Sequence, residues 1–234
     1  QVEAGRCPVA VSGLSGVHRA HIAAAARAVT GCSVLLLCAD ETDGRRLQSD
    51  LAAFTGEEVQ LLAGREFVFY DATASRQWEH RRLSLFHAMR HGRAPLVVAT
   101  AEALLQRTMP PEILDRAALT LRLGDLYNLD DLAQRLTAAG YSRCSQVEGP
   151  GQFSLRGGIL DLYSPEAEAP VRADFYGDEL DSMGIFDPAT QRRSINITEA
   201  TFLPAAEALP QLAPGGILGL CAAIEKEKLK LERA

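Results

Sequence analysis

Apolar residues follow two rhythms along this chain. Up to about residue 116, short continuous apolar runs alternate with stretches of helical spacing. "CPVAVSGL" is an apolar run closed by glycine, and "CSVLLLCAD" reads as a strand buried on both faces. "EVQLLA", "FVFYD" and "APLVVAT" are the further extended pieces. Between them, "GVHRAHIAAAARAVT", "ETDGRRLQSDLAAF" capped by Asp40, and "SRQWEHRRLSLFHAMRHG" closed by Gly92 predict helices. Strand and helix in alternation imply a parallel sheet covered by helices.

After "MPPEIL" the rhythm changes. "ALTLRLGD" predicts a strand, and "NLDDLAQRLTAAG" a helix with Asn128 as cap and Gly140 as stop. From Tyr141 to about Leu203 the pattern is strand and turn, which predicts antiparallel ribbons with turns at "EGPG", "SPEAEAP", "YGDE" and "DPATQ". The expected fold is therefore α/β, with a parallel-sheet domain over 1–116 and a smaller α+β antiparallel-sheet domain over 117–203. Residues 204–234 hold a Pro/Gly-rich link and a helix, assigned here to the first domain. In that helix Glu225 faces Lys228 and Glu227 faces Lys230 at i,i+3.

One strand carries an interruption. In "GQFSLRGGILDLY", Phe153 and Leu155 point one way, Ser154 and Arg156 the other. Beyond the glycines the apolar alternates are Leu160 and Leu162, which requires a one-residue shift. A bulge at Gly157–Gly158 supplies it and leaves Arg156 on the open face. Arg143, in "YSRCSQVE", offers a second guanidinium. Such arginines on a rigid sheet suit an acidic protein partner. A solvated face with local pairs, Arg172 with Asp161 or Asp174, explains the same pattern. The residues alone leave both readings open.

The other chemical motif is a damaged one. "GLSGVHRA" sits between the first apolar run and a helix, where a phosphate-binding G-x-x-x-x-G-K-[S/T] loop would sit. Gly13 and Gly16 remain. His18 replaces the second motif glycine, Arg19 the lysine, and Ala20 the hydroxyl residue that would hold Mg²⁺. The loop is expected to be a non-functional scaffold, although Arg19 keeps a charge at a helix N-terminus. Nothing resembles an acidic D-E-x-x metal motif.

The remaining candidates carry less. His87 and His91 lie i,i+4 with His80 upstream, and His18 and His21 form a similar pair, but neither has a third ligand at a fixed spacing, so no metal site is expected. Trp78 and Phe86 fit a core better than a base-stacking platform. Ser12 and Ser15 have no base partner for a hydrolase triad. Cysteines at 7, 32, 38, 144 and 221 form no C-x-x-C pair and read as reduced thiols of a cytoplasmic protein. The net charge of −6 argues against general nucleic-acid binding, and the longest apolar run, "VLLLCA", is far short of a membrane span. No secretion leader is visible.

"GQFSLRGGILDLYSPEAEAPVRADFYGDELDSMGIFDPATQRRS" resembles the second domain of the bacterial transcription-repair coupling factors, the Mfd family. "FVFYD" and "VVATAEALLQRTMPP" extend the likeness to about residues 7–204. The excision-repair helicase UvrB shares this module. It keeps an intact phosphate loop, however, and inserts a long aromatic hairpin where this chain has only a few residues after Tyr70–Asp71. The resemblance implies a P-loop-NTPase-like first domain that has lost nucleotide hydrolysis, and a second domain that docks the damage-recognition ATPase UvrA. Carried over by position, Arg156 and Arg143 are the docking arginines. Ser154 stands where UvrB has another arginine, and Phe153 and Tyr163 are either further contacts or, equally, core residues. The resemblance also implies that ATP, Mg²⁺, DNA and RNA polymerase are handled by other parts of a longer protein, with no cofactor on this stretch. A C-terminal domain would mask the docking face. The sequence after Leu203 departs from the family pattern. A UvrB-type ATP-dependent helicase fragment is the alternative.

Overall fold

The computed structural model describes residues 8–64 and 76–232. The chain divides into two compact units. One comprises the described residues up to 64 together with Leu85–Thr108. The other comprises those from 76 to Ser84 together with Met109 onward.

The first unit opens with helix α1 (Gly16–Thr30), strand β1 (Val34–Cys38), helix α2 (Glu41–Thr55) and strand β2 (Gln60–Leu62). Helix α3 (Gln77–Arg90) follows, and its later turns belong to this unit. Strand β3 (Leu96–Thr100) and helix α4 (Ala101–Leu105) complete it. The three strands form a parallel sheet in the order β1-β3-β2. Central β3 is buried at every position, while among the described strands β1 lies at an edge and leaves Leu35 and Leu37 exposed. The "VLLLC" run is thus not covered on both faces as expected. A continuous apolar run shows hydrophobicity but not whether its strand is central. The run before α1 forms no strand over residues 8–14, and Val9, Val11 and Leu14 are exposed there. An extended run makes no ladder without a paired neighbour. "FVFYD" lies outside the described residues.

Small residues let α1 sit close, with Ala20, Ala23 and Ala24 buried against Leu47 and Leu51 of α2 and Leu96 and Val98 of β3. Asp40 caps α2, its side chain accepting from the Asp43 N–H. A second apolar cluster on α3, β2, β3 and α4 includes Leu62, Leu85, Val97 and Ala103.

The second unit contains helix α5 (Pro111–Ala117), strand β4 (Leu119–Arg122), helix α6 (Leu129–Ala138) and strand β5 (Ser142–Arg143). Then come β6 (Gln152–Arg156), β7 (Ile159–Tyr163), β8 (Val171–Tyr176), β9 (Glu179–Phe186), β10 (Arg193–Asn196), β11 (Glu199–Phe202) and helix α7 (Gly216–Leu231). Six strands form one sheet, β10-β9-β8-β7-β6-β5, antiparallel except that two-residue β5 runs parallel to β6. Strands β4 and β11 pair separately. Asn128 caps α6 as expected. Leu132 and Leu136 of α6, Leu119 and Leu121 of β4, and Phe153, Leu160, Leu162 and Met183 of the large sheet share one core.

Gly157–Gly158 is not a bulge. Arg156 pairs directly with Ile159, so the two glycines are the turn of a β6–β7 hairpin. Gly157 takes φ 58°, and Gly158 leaves no room for a side chain, because a Cβ there would come within 2.6 Å of the Phe175 carbonyl oxygen. A register shift does occur between β8 and β9, where Asp174 faces Ser182 and Phe175 faces Leu180, so the extra residue is Asp181 of β9.

The tail also groups differently from the expected 204–234 return to the first domain. Ala205 belongs to the second unit's core. The His80 ring shares a 3.1 Å hydrogen bond with the Ala205 carbonyl, and buried Arg82 pairs with Glu207 at 3.2 Å. These contacts bind the first turns of α3 to the segment after β11.

Candidate protein-docking face

Alternation on β6, β7 and β8 sends Phe153, Leu155, Leu160, Leu162, Val171 and Ala173 to the core side. Ser154, Asp161 and Arg172 fall in register on the opposite face, with Arg156 and Asp174 one row further along. The centre of this outer face is ionic. Asp161 has a side chain only 1% exposed. Its Oδ1 accepts from Arg172 Nε at 2.6 Å, and its Oδ2 accepts from Arg172 Nη2 and Arg156 Nη2, each at 2.9 Å. Arg172 also donates to the Gln191 carbonyl at 3.2 Å and to Gln191 Oε1 at 2.9 Å, and lies 4.5 Å over the Phe186 ring. Donation to the Asp161 carboxylate holds the Arg172 pKa above its ordinary value. Beside this group, Arg193 donates to Ser182 Oγ at 2.9 Å and forms an ion pair with Asp174.

Both readings of the sequence therefore meet here. Arg172 is locked in a local pair, as the solvated-face reading has it. Arg156 is half tethered, with a side chain 51% exposed, contacting Asp161 through one nitrogen and offering its other donors outward. Two guanidiniums share one carboxylate, so the cluster keeps a net positive charge. Tyr176, which the sequence reading passed over, extends from the same strand as Arg172 and is 85% exposed. Its neighbour Phe175 packs toward the core, which turns Tyr176 to the outer face. The clue in sequence was the unbroken alternation of β8, which puts Arg172, Asp174 and Tyr176 on one face.

The other expected contacts do not gather around Arg156. Phe153 is fully buried and is a core residue, not a surface contact. Ser154 is likewise closed off, its hydroxyl donating to the Ser145 carbonyl at 3.0 Å. Tyr163 is half-buried, and its hydroxyl donates to the Glu168 carbonyl at 2.9 Å. Arg143 is exposed, but its register partner is Phe153, so it leaves β5 on the core-side face at the sheet edge rather than beside Arg156. Near the same edge, burial pushes the Cys144 thiol up, and its Sγ lies 3.3 Å from the Phe153 carbonyl.

In the first unit, each replaced position of the phosphate-loop stretch has another occupation. Ser15 precedes α1, and its N–H and hydroxyl both turn to the His18 ring, at 3.4 and 3.0 Å. Arg19 donates to both Asp43 carboxylate oxygens, at 2.8 and 3.1 Å. Ala20 is wholly buried. His87 is buried, accepts from Arg93 at 2.8 Å and meets the His91 ring edge-on. No group of three or more His, Cys, Asp or Glu side chains able to hold a metal occurs among the described residues. Nor is any described helix long and apolar enough to cross a membrane.

Residues 119–207 match the family described as the UvrB interaction domain. The chain is 32% identical over 210 residues to a transcription-repair-coupling factor of Myxococcus xanthus, a match covering 86% of this chain and 18% of that protein. It is 31% identical over 199 residues to the Bacillus subtilis (strain 168) factor, covering 84% and 17%. Against the Escherichia coli (strain K12) factor it is 32% identical over 175 residues, covering 74% and 15%. The chain thus spans less than a fifth of the length of these curated relatives. It belongs to the transcription-repair coupling factor family and carries that family's UvrB interaction domain.

Proposed function

We propose that this chain is a non-catalytic docking module of transcription-coupled repair, whose second unit recruits UvrA through the outer face of the large sheet. One observation carries the reading: Arg156 is presented half-exposed and already oriented on a sheet face that holds more guanidinium than carboxylate at its centre. Exposed Tyr176 supplies an aromatic anchor on the same face, and arginine with tyrosine is the usual composition of interface hot spots. Arg143, at the edge, serves as a peripheral contact. RNA polymerase, DNA and ATP with Mg²⁺ are engaged by other regions of the full-length protein.

The first unit is, in this reading, a P-loop-NTPase-like domain whose nucleotide site has closed. His18 takes the hydrogen bonds at the head of α1, and Asp43 takes the Arg19 charge. The competing reading, a UvrB-type helicase fragment, requires Mg-ATP binding. Titration with a fluorescent ATP analogue is expected to show no saturation, and saturable binding with turnover would favour the helicase.

The docking test is direct. Arg156→Glu is expected to weaken UvrA binding by about 2–5 kcal/mol, the range for losing one partner of a desolvated charge pair, or roughly thirtyfold to several thousandfold in Kd. Arg143→Glu, a rim change, is expected to act mainly on the association rate. An Arg156→Glu protein that binds UvrA like the parent would sink the proposal.

A further inference from the structure

We infer that Asp161 is the positioning residue of the docking face: it fixes the direction of the Arg156 guanidinium without itself touching the partner. The inference rests on the docking reading above and deepens it.

Asp161 is a carboxylate in the middle of a strand, on the outer face, and almost wholly enclosed. A buried carboxylate requires compensation, and Arg172 supplies it with a side-on pair of hydrogen bonds to both oxygens. Arg172 is in turn held by Gln191 and by the Phe186 ring, so the Asp161–Arg172 pair is fixed to the sheet. Arg156 then joins through a single contact, Nη2 to Oδ2. Two consequences follow from this unequal sharing. The charge of Asp161 is already answered by Arg172, so Arg156 keeps most of its attraction for an incoming acid. The one contact nevertheless restrains a long, rotamer-rich side chain before binding, which lowers the ordering cost of association. The turn at Gly157–Gly158 immediately after Arg156 holds the backbone side of the same arrangement.

The test combines a binding cycle with a measurement on the free protein. UvrA affinity is measured for the parent, Asp161→Asn, Arg156→Ala and the double variant. Asp161→Asn is expected to weaken binding about tenfold in the parent, the scale of freeing one ordered side chain, and to have little further effect when Arg156 is already alanine. Equal loss in both backgrounds would make Asp161 a purely structural residue and overturn the inference. So would an Asp161→Asn protein that binds like the parent while Arg156→Ala does not.

Independently, ¹⁵N relaxation of the arginine Nε groups in the free parent protein is expected to find Arg156 ordered and Arg143 averaged. Arg156 as mobile as Arg143 would overturn the inference even if Asp161→Asn failed to fold. If Arg156→Ala bound UvrA normally, the docking reading would fall, and the relaxation comparison would still decide whether Asp161 orients Arg156.

Discussion

His80 shows how one enclosed side chain ties stability to pH. Burial lowers its pKa below the ordinary value of 6.5, opposed by the hydrogen bond with the Ala205 carbonyl. Because the folded pKa is the lower one, the unfolded chain binds the extra proton. Stability is therefore full above about 6.5 and declines as pH falls through that value toward the folded pKa. Urea midpoints measured between pH 7 and 5 are expected to fall for the parent and to fall less for His80→Gln. Identical slopes would place the acid sensitivity elsewhere. Residues like this are hard to read from sequence, because nothing in "WEH" announces that a carbonyl 125 positions later will meet the ring. Arg156 was legible because alternation along one strand is local. The face taken by Arg143 was not, because β5 is two residues long and its parallel pairing with β6 is set by tertiary contacts.

Elements came through best where a local rule fixes them. Asn128 and Asp40 cap the helices they precede, and Gly92 and Gly140 follow theirs with positive φ. The doubled glycine was ambiguous for a physical reason: a one-residue bulge and a two-residue hairpin turn both shift the parity of the apolar alternation. Only the pairing of Leu155 with Leu160 distinguishes them. Similarly, "VLLLC" and "LVVAT" are equally apolar, yet one strand is an edge and the other the centre of its sheet. At the hairpin, Gly158→Ala is expected to cost about 1–3 kcal/mol, the range for forcing extra volume into a packed site. The added methyl would meet the Phe175 carbonyl, which cannot move without disturbing the Phe175 N–H bond to Gly158 O. Equilibrium urea unfolding measures this, and an unchanged midpoint would show that the turn adjusts freely.

For the whole chain, the change of hydrophobic rhythm predicts two domains. The expected boundary near 116 follows the change of rhythm, whereas packing draws residues 76 to 84 into the later unit. The enclosed pair Arg82–Glu207 is one of the ties. Arg82→Ala is expected to destabilise the protein by about 3–5 kcal/mol, because Glu207 would keep a charge in a site that is largely shut from water. A thermal melt that hardly moves would mean that Glu207 turns outward once released.

The enlistment of the early turns of α3 by a unit that otherwise starts at Met109 makes the two bodies interleaved in sequence. No single scission can free either one whole. A recombinant piece begun at the apparent boundary would discard His80 and Arg82 and leave Ala205 and Glu207 without them. Trimming this protein is thus a matter of keeping a distant helix, not of finding a linker.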